Sequence, residues 1–376
     1  HQRRIDLAGR VEYQLHVRDR GRTREGSGDE TARRFLYYEK ARRAVKLFEL
    51  TRELIDIRSL TGDELAVGQY LASYLERLGY EVERQEVAPE RYNVIATTRQ
   101  SPRVVFSTHL DTVPPFISSR EDEEFIYGRG SCDAKGIIAA QISAAERLRA
   151  EGVGDIGLLF TVDEELGSIG ARAANEHPLA RECRYMINGE PTDNCLATGT
   201  KGAIQVIITT GGRAGHSAYP ETGESAIEKM LDILDVIRRW EWPEDSYFGA
   251  TTCNIGVIGG GTRPNVIADK ARAELQMRLG VSVKNVKKVI EDAVGTRGRV
   301  EYNSACDPIR LLSVPGFEQC IVRFGTDIPY LSAWGQALLL GPGSILDAHT
   351  EHERISKREL NHAVELYVDL AQRLIL

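Results

Sequence analysis

Five short segments of this sequence carry acidic or histidine side chains that could bind a metal ion or move a proton. Four of them follow apolar runs with the pattern of buried strands, and the fifth precedes an alanine-rich helical pattern. They are 107–111 (STHLD), 162–165 (VDEE), 188–192 (NGEPT), 347–349 (DAH) and, before the helix, 132–136 (CDAKG). Because ligands of open α/β sheets collect at the carboxyl ends of the strands, we expect the five segments to converge on one crevice.

The ligand types in these segments favour a centre of two divalent metal ions. Two imidazoles and three carboxylates suit Zn²⁺, and Co²⁺ or Mn²⁺ less selectively, since N and O ligands discriminate poorly among these ions. Two ions about 3.5–4 Å apart need a bridging carboxylate, and Asp133 can bridge. His109 and Asp111 point to the same side of a strand end, so we expect Asp111 to accept the second ring N–H of His109 and to fix its tautomer.

The adjacent Glu164 and Glu165 cannot share one role, because neighbouring side chains diverge. One can bind a metal ion while the other accepts a proton from water, whose pKa a bound metal lowers toward about 7. Each segment alone also has an ordinary explanation, since a pair of adjacent glutamates is usually solvated and a lone histidine commonly lies on the surface. Their joint placement after strand patterns favours a functional site.

The elements that must position these residues predict an α/β fold with an insertion. Strand patterns alternate with helical patterns along residues 44–198, which is typical of a largely parallel sheet. Residues 199–303 have the order β-α-β-β-α-β of a ferredoxin-like unit, with two of its strands joined in a hairpin through Gly259, Gly260 and Gly261. Residues 304–376 return to the α/β pattern, so we predict one catalytic domain, 44–198 with 304–376, interrupted by a second domain.

Composition and charge narrow the function classes. The formal net charge of −7 argues weakly against a nucleic-acid partner. Residues 1–43 differ, because they carry 12 Lys and Arg against 7 Asp and Glu. We interpret them as an extension. No apolar run approaches the roughly 18 residues of a membrane span, and no secretory signal is visible. The six cysteines form no C-x-x-C pair and are interpreted as free thiols. We therefore expect a cytoplasmic protein with no nucleic-acid or membrane partner.

Together the segments resemble the M20 metallopeptidase family, which includes acetylornithine deacetylase, succinyl-diaminopimelate desuccinylase and enzymes of the carboxypeptidase G2 type. The resemblance extends from about Val45 to the C-terminus. It rests on the motifs HLDTVP (109–114), GRGSCDAKG (128–136), TVDEELGSIGA (161–171), GEPT (189–192), TKG (200–202), GHSAYP (215–220), PNVIAD (264–269) and GPGSILDAHT (341–350).

The resemblance implies roles for individual residues. One metal ion is expected on His109, Asp133 and Glu190, and the other on Asp133, Glu165 and His349. Glu164 matches the general base of the family.

The resemblance also assigns residues 199–303 to a lid and dimerisation domain. His216 matches a lid histidine that reaches the partner's active site in family dimers, where it polarises the substrate carbonyl. Asn265 and Arg278 match positions that hold the substrate carboxylate.

Two positions depart from the family pattern. Ala134 stands where Met or Asp is usual, after a peptide bond that is characteristically cis in the family. His352 stands where an acidic residue is common, and it is an alternative to His349 as a ligand.

The resemblance predicts a homodimeric hydrolase that cleaves the amide bond of an N-acyl amino acid. The motifs GEPT and GPGSI resemble acetylornithine deacetylase most, so N-acetylornithine or a close relative is the predicted substrate. A dipeptidase or carboxypeptidase with the same metals is the alternative. A catalytically silent, metal-stabilised binding protein is a third hypothesis, which the joint presence of the base and every ligand type argues against.

Overall fold

The computed structural model describes residues 45–98 and 101–375, so the predicted extension at 1–43 lies outside the described residues. The helices are α1 (Leu47–Asp56), α2 (Leu65–Leu78), α3 (Lys135–Ala150), α4 (Ile169–Asn175), α5 (Ala226–Arg239), α6 (Val283–Val294) and α7 (Lys357–Ile375). The strands are β1 (Glu81–Ala88), β2 (Arg91–Thr97), β3 (Val104–His109), β4 (Arg120–Glu121), β5 (Phe125–Tyr127), β6 (Ile156–Thr161), β7 (Tyr185–Asn188), β8 (Leu196–Thr200), β9 (Gly202–Gly211), β10 (Glu244–Asp245), β11 (Gly249–Ala250), β12 (Thr252–Gly260), β13 (Lys270–Leu279), β14 (Gly298–Cys306), β15 (Ile309–Arg310), β16 (Gln319–Val322), β17 (Gln336–Leu339) and β18 (Arg354–Ser356).

The larger sheet has the strand order β1-β2-β6-β3-β7-β17-β8-β15, with β16 paired to β8. Its centre, β6-β3-β7-β17, is parallel, and β3 and β6 are buried along their whole length. Strands covered on both faces are expected to be continuously apolar, as β3 and β6 are until their last residues. Helices α1, α2, α3 and α7 share one core, and α4 contributes to a second core that contains Trp334. The parallel centre brings the ends of β3, β6 and β7 to one edge.

The smaller sheet is antiparallel, with the order β12-β13-β9-β14 and a core of its own with α5 and α6. Its elements follow one another as β9-α5-β12-β13-α6-β14, with the short β10–β11 hairpin after α5. Helix α5 begins where the Ser225 hydroxyl accepts a hydrogen bond from the Glu228 N–H at 3.2 Å, which is a typical N-cap. The predicted α/β class with an α+β insertion is confirmed, while the domain bounds stay a prediction.

Two local predictions differ from the structure. Strand β1 was not predicted, because its sequence EVERQEVA is polar and it lies at the edge of the sheet, where much of it is exposed. Strands β12 and β13 do pair, but Gly259 and Gly260 lie inside β12, and residues 261–269 connect the two strands. A Cβ at Gly260 would lie 2.7 Å from the Ala271 Cβ, so close strand packing explains this glycine better than a turn does. Within the part of the chain that the structure describes, no helix has the length and apolar character needed to cross a bilayer.

Candidate metal centre

The predicted ligands come together at the carboxyl edge of the larger sheet. His109 ends β3, Glu165 follows β6, Glu190 follows β7, and Asp133 directly precedes Ala134 and α3. One ligand atom each from His109, Asp133 and Glu165 lie within 4.8 Å of one another. The peptide bond between Asp133 and Ala134 is cis. The crevice expected from the strand order is therefore present.

Asp133 lies between two histidines. Its Oδ1 is 3.0 Å from Nε2 of His109, and its Oδ2 is 3.3 Å from Nε2 of His349. Nε2 of His349 is also 3.0 Å from Oε1 of Glu165. The carboxylates of Asp133 and Glu165 raise the pKa of His349 to about 10, and a metal ion bound there would displace that proton. The two oxygens of Asp133 thus face two separate donor groups, as a bridging ligand requires.

Glu190 supplies a buried oxygen that has no protein partner. Its side chain is buried, and Oε1 makes no hydrogen bond to any described residue. Burial raises the pKa of Glu190 well above its usual value, and the carboxylates of Asp133 and Glu165 raise it further. A buried acceptor without a partner costs about 1–3 kcal/mol, and a divalent cation would satisfy it. The donor set therefore fits a centre of two divalent ions.

Asp111 holds the turn that carries both glutamates. Its Oδ1 accepts the N–H of Glu164 at 3.1 Å, and its Oδ2 accepts the N–H of Glu165 at 3.2 Å. Nδ1 of His109 lies 2.9 Å from the main-chain oxygen of Asp111 and 3.7 Å from its carboxylate. The imidazole is therefore oriented by the main-chain oxygen of Asp111, which is nearer to it than the Asp111 carboxylate is. The carboxylate instead fixes the Glu164–Glu165 turn.

The turn before Glu164 has an unusual backbone. Asp163 has a φ of 69°, in the left-handed region that non-glycine residues seldom adopt. Arg91 donates a hydrogen bond to its carboxylate at 2.7 Å, and the Ser168 N–H donates to its main-chain oxygen at 2.6 Å. Burial raises the pKa of Glu164 well above its usual value, and the nearby Glu190 raises it further.

A cavity of about 330 Å³ opens onto these carboxylates. Asp133, Glu164, Glu165, Glu190 and His349 line one part of it. The smaller sheet contributes other lining residues, among them Arg278, Ser304 and Cys306, and the larger part of the chain contributes Phe324, Tyr330 and Ile345. Arg278 lies near the end of β13, between Ala203 of β9 and Thr252 of β12. The cavity therefore combines the proposed metal ligands with one guanidinium from the smaller sheet.

His216 and Asn265 lie outside this cavity. Both are exposed and belong to neighbouring loops of the smaller sheet, joined by a hydrogen bond from the Ser217 N–H to the Asn265 main-chain oxygen at 3.1 Å. Nδ1 of His216 accepts the N–H of Ala218 at 3.2 Å, which leaves Nε2 free of described partners. The structure thus brings Arg278, but neither His216 nor Asn265, to the metal ligands of the same chain.

The two histidines of the terminal motif differ in their surroundings. His349, with a φ of 63°, faces Asp133 and Glu165. His352 is exposed, and its main-chain N–H donates to the Thr350 hydroxyl at 3.2 Å. The geometry favours His349 over His352 as the ligand.

Sequence reasoning missed two buried carboxylates beside the centre. Asp327 accepts a hydrogen bond from the Thr161 hydroxyl at 2.8 Å, and burial raises its pKa to about 6. Glu353 contacts the loop that carries Asp133. Neither follows a predicted strand, and the only signals were their positions in G-T-D (325–327) and beside His352.

Comparison with known proteins places this architecture in a known group. Residues 105–373 match the sequence profile of peptidase family M20/M25/M40. A peptidase M20 domain-containing protein of Schizosaccharomyces pombe is 36% identical, over 85% of this chain and 83% of that protein. A probable carboxypeptidase of Emericella nidulans is 35% identical, over 87% of this chain and 89% of that protein. The crystal structure of a tripeptidase from Staphylococcus aureus superposes with a TM-score of 0.74 at 22% identity, covering 88% of this chain and 98% of that one.

Proposed function

This chain belongs to peptidase family M20/M25/M40, and on that premise we propose that it is a two-metal carboxypeptidase. The family resemblance predicted from the motifs is confirmed, and the protein is a hydrolase of the peptidase class. The proposed reaction is hydrolysis of the amide bond that precedes a residue with a free carboxylate. The observation that carries it is the presence of Arg278 in the same cavity as the metal ligands.

Five side chains would hold the ions. His109 and Glu190 would bind one ion and Glu165 and His349 the other, with Asp133 shared between them. When bound, two divalent ions supply Lewis acidity, which polarises the scissile carbonyl and acidifies water. Zn²⁺ suits these N and O ligands, and Co²⁺ or Mn²⁺ would substitute.

Glu164 is the proposed proton carrier. Its main-chain N–H is fixed by Asp111, and its side chain lines the cavity next to the ligands. In this position it can accept the proton of the attacking water and deliver it to the departing amine. Glu165, held by the other oxygen of Asp111, is left to ligate.

Arg278 is the proposed anchor for the substrate carboxylate. A guanidinium binds a carboxylate through two parallel hydrogen bonds, so it selects position as well as charge. Among the described residues, the acidic side chains lining the cavity are Asp133, Glu164, Glu165 and Glu190, all of which have a proposed metal or proton role. No lining carboxylate is left to bind a substrate ammonium group, which favours a carboxypeptidase over an aminopeptidase.

The same argument bears on the substrate predicted from the sequence. N-acetylornithine has the amide and carboxylate that the cavity suits, but its side-chain ammonium would need an acidic partner. The named relatives that are probable carboxypeptidases support the alternative that the sequence left open. The preference for N-acetylornithine stays a prediction, which the substrate panel below tests.

We also propose a cytoplasmic homodimer formed through the smaller sheet. Strand β12 is an edge strand whose Val257 and Ile258 are more than half exposed. Leu231 on α5 and Trp240 just after this helix are exposed as well. An open strand edge beside exposed apolar side chains is a surface that a second copy could cover. In such a dimer His216 and Asn265 would serve the partner's cavity. The free thiols of the cysteines suit a reducing compartment.

A matched substrate panel tests this function. The panel contains an N-acyl dipeptide with a free C-terminal carboxylate, the same dipeptide as its C-terminal amide, the same dipeptide with a free N-terminus, and N-acetylornithine. We expect kcat/KM to be highest for the first substrate and lowest for the amide. Equal turnover of the acid and the amide would refute the role of Arg278, and a clear preference for N-acetylornithine would restore the deacetylase assignment.

A further inference from the structure

We propose that Glu353 is a positioning residue, which holds the Asp133 loop against the His349 segment and thereby sets the affinity of both metal ions. The inference rests on the proposed two-metal function. Glu353 binds neither ion in this scheme. It acts through the backbone that presents the bridging ligand.

One oxygen of Glu353 accepts hydrogen bonds from several main-chain N–H groups of the Asp133 loop. Oε1 accepts the N–H of Gly130 at 2.9 Å and those of Cys132 and Asp133 at 3.2 Å each. Three donors converging on one anionic oxygen fix the path of the chain, because charge-assisted hydrogen bonds are the stronger kind. The loop cannot shift Asp133 without breaking at least one of these bonds.

The other oxygen of Glu353 meets Arg129. The two side chains are 1% and 2% exposed, and the Arg129 guanidinium donates to Oε2. The main-chain oxygen of Glu353 also accepts the Gly128 N–H at 3.0 Å. A buried charge pair persists only where further hydrogen bonds satisfy its remaining atoms, and the loop supplies them here. Both ends of the segment 128–133 are thus attached to one residue.

The position of Glu353 in the chain couples the two halves of the centre. It lies four residues after His349, while the loop that it holds ends at Asp133. Asp133 faces both His109 and His349, so a displacement of this loop changes the geometry at both ions. Steric space in the loop is small as well, since a Cβ at Gly130 would lie 2.9 Å from Cδ of Lys135.

The competing explanation is that Glu353 and Arg129 form a purely structural ion pair. Helix α3, which follows the Asp133 loop, offers a control for it. Glu146 lies near the other end of α3, with its side chain 10% exposed and paired to Arg149 at 2.6 Å. Loss of its charge removes a largely buried ion pair without touching the Asp133 loop. Glu146→Gln should therefore lower the melting temperature and leave metal affinity unchanged.

The experiment measures the Kd for Zn²⁺ and for Co²⁺ by chelator competition on metal-free full-length protein, together with metal content and melting temperature. We expect Glu353→Gln to weaken binding of both ions by about 10–100-fold, as loss of an outer partner of a metal ligand typically does. Glu165→Gln should weaken one ion, and Glu146→Gln neither. If Glu353→Gln does not fold, Glu353→Asp takes its place, because it keeps the charge but withdraws the carboxylate by one methylene; the same loss is expected.

Unchanged affinity at both metal positions in a folded Glu353 variant would overturn the proposal. The Glu353–Arg129 ion pair would then have a structural role alone. Equal losses in the Glu353 and Glu146 variants would overturn it as well, because general destabilisation would then explain the effect. If the wild-type protein itself binds neither ion, the two-metal function fails first, and that result is distinct from either outcome.

Discussion

The metal-binding edge of the larger sheet and the exposed loops of the smaller sheet differ in how their polar groups are held. At the metal-binding edge, His109 and Asp133 are buried and each faces another ionisable side chain. In the smaller sheet, His216 and Asn265 are exposed, and their described hydrogen bonds lie within the His216 loop or join it to the Asn265 loop. Buried polar groups need partners, so the first region is fixed before substrate arrives, whereas the second is free to meet a surface outside its own cavity.

This difference predicts that the two regions contribute to the proposed reaction in different ways. The proposed ligands and base can be assembled within one chain, because strand ends and the Asp111 and Glu353 carboxylates position them. The proposed oxyanion donor His216 lies outside the cavity of its own chain, so a second copy or a large closure must bring it there. Changes at the metal-binding edge should accordingly abolish the reaction, and changes in the loops should be complementable.

Metal removal should have the largest effect. Oε1 of Glu190 is buried without a hydrogen-bond partner among the described residues, and the two oxygens of Asp133 face His109 and His349, so chelation should abolish hydrolysis, and Zn²⁺ or Co²⁺ should restore it. Activity and elemental content are measured on the same sample. Full turnover in protein shown to be metal-free would contradict the proposed mechanism.

Glu164→Gln should come next, with kcat lowered by about 10²–10⁴-fold and metal content intact. The amide keeps the size of the side chain but cannot carry the proton. Glu165→Gln is the matched control, because Asp111 holds both glutamates and only Glu165 contacts His349. Equal metal loss in both variants would show that the two roles are not divided in this way.

His216→Ala should lower kcat by about 10²–10³-fold, the effect of removing one oxyanion donor. If it acts in trans, mixing His216→Ala with Glu164→Gln protein should restore about a quarter of wild-type activity, since half of randomly mixed dimers carry one complete site. Light scattering establishes the dimer and subunit exchange. Verified exchange without recovered activity would place His216 in its own chain's reaction or outside catalysis.

Arg278→Met should lower kcat/KM by about 10–100-fold for substrates with a free carboxylate and leave their C-terminal amides unaffected. Arg272→Met is the control, because Arg272 lies on the same strand but outside the cavity, paired with Glu274. Steady-state rates on the acid and amide pair distinguish the two variants. A parallel fall on both substrates would indicate damage to the cavity rather than loss of a carboxylate anchor.

The sequence was most informative where buried strands end. His109 and Glu165 follow runs of apolar residues, so their placement at one edge followed from strand pattern alone. Glu353 and Asp327 follow no such run, and their roles depend on contacts across 220 and 166 residues of chain, which no local pattern encodes.

Strand β1 was not predicted because its sequence, too, lacks a run of apolar residues. Its polar side chains lie on an exposed edge, where hydrogen bonding to β2 decides the structure rather than burial. His216 could be placed in the insertion from its motif, but its proposed role in a partner's cavity depends on assembly, which no local pattern of one chain encodes.

The smallest effect on metal affinity is expected from a core substitution, and a matched pair of buried isoleucines compares the two regions. Ile137 is fully buried beneath Gly189, where a Cβ would lie 2.3 Å from its Cγ2, and it therefore supports the backbone that carries Glu190. Ile290 is equally buried, but in the core of the smaller sheet. Truncation of either to alanine should cost about 2–5 kcal/mol of stability. Only Ile137→Ala should also weaken Zn²⁺ binding, by a modest factor, because only that cavity lets the Glu190 backbone relax. Chelator competition and thermal melting on both variants measure this, and a matching loss of Zn²⁺ affinity in Ile290→Ala would mean that the two regions are coupled more tightly than their separate cores suggest.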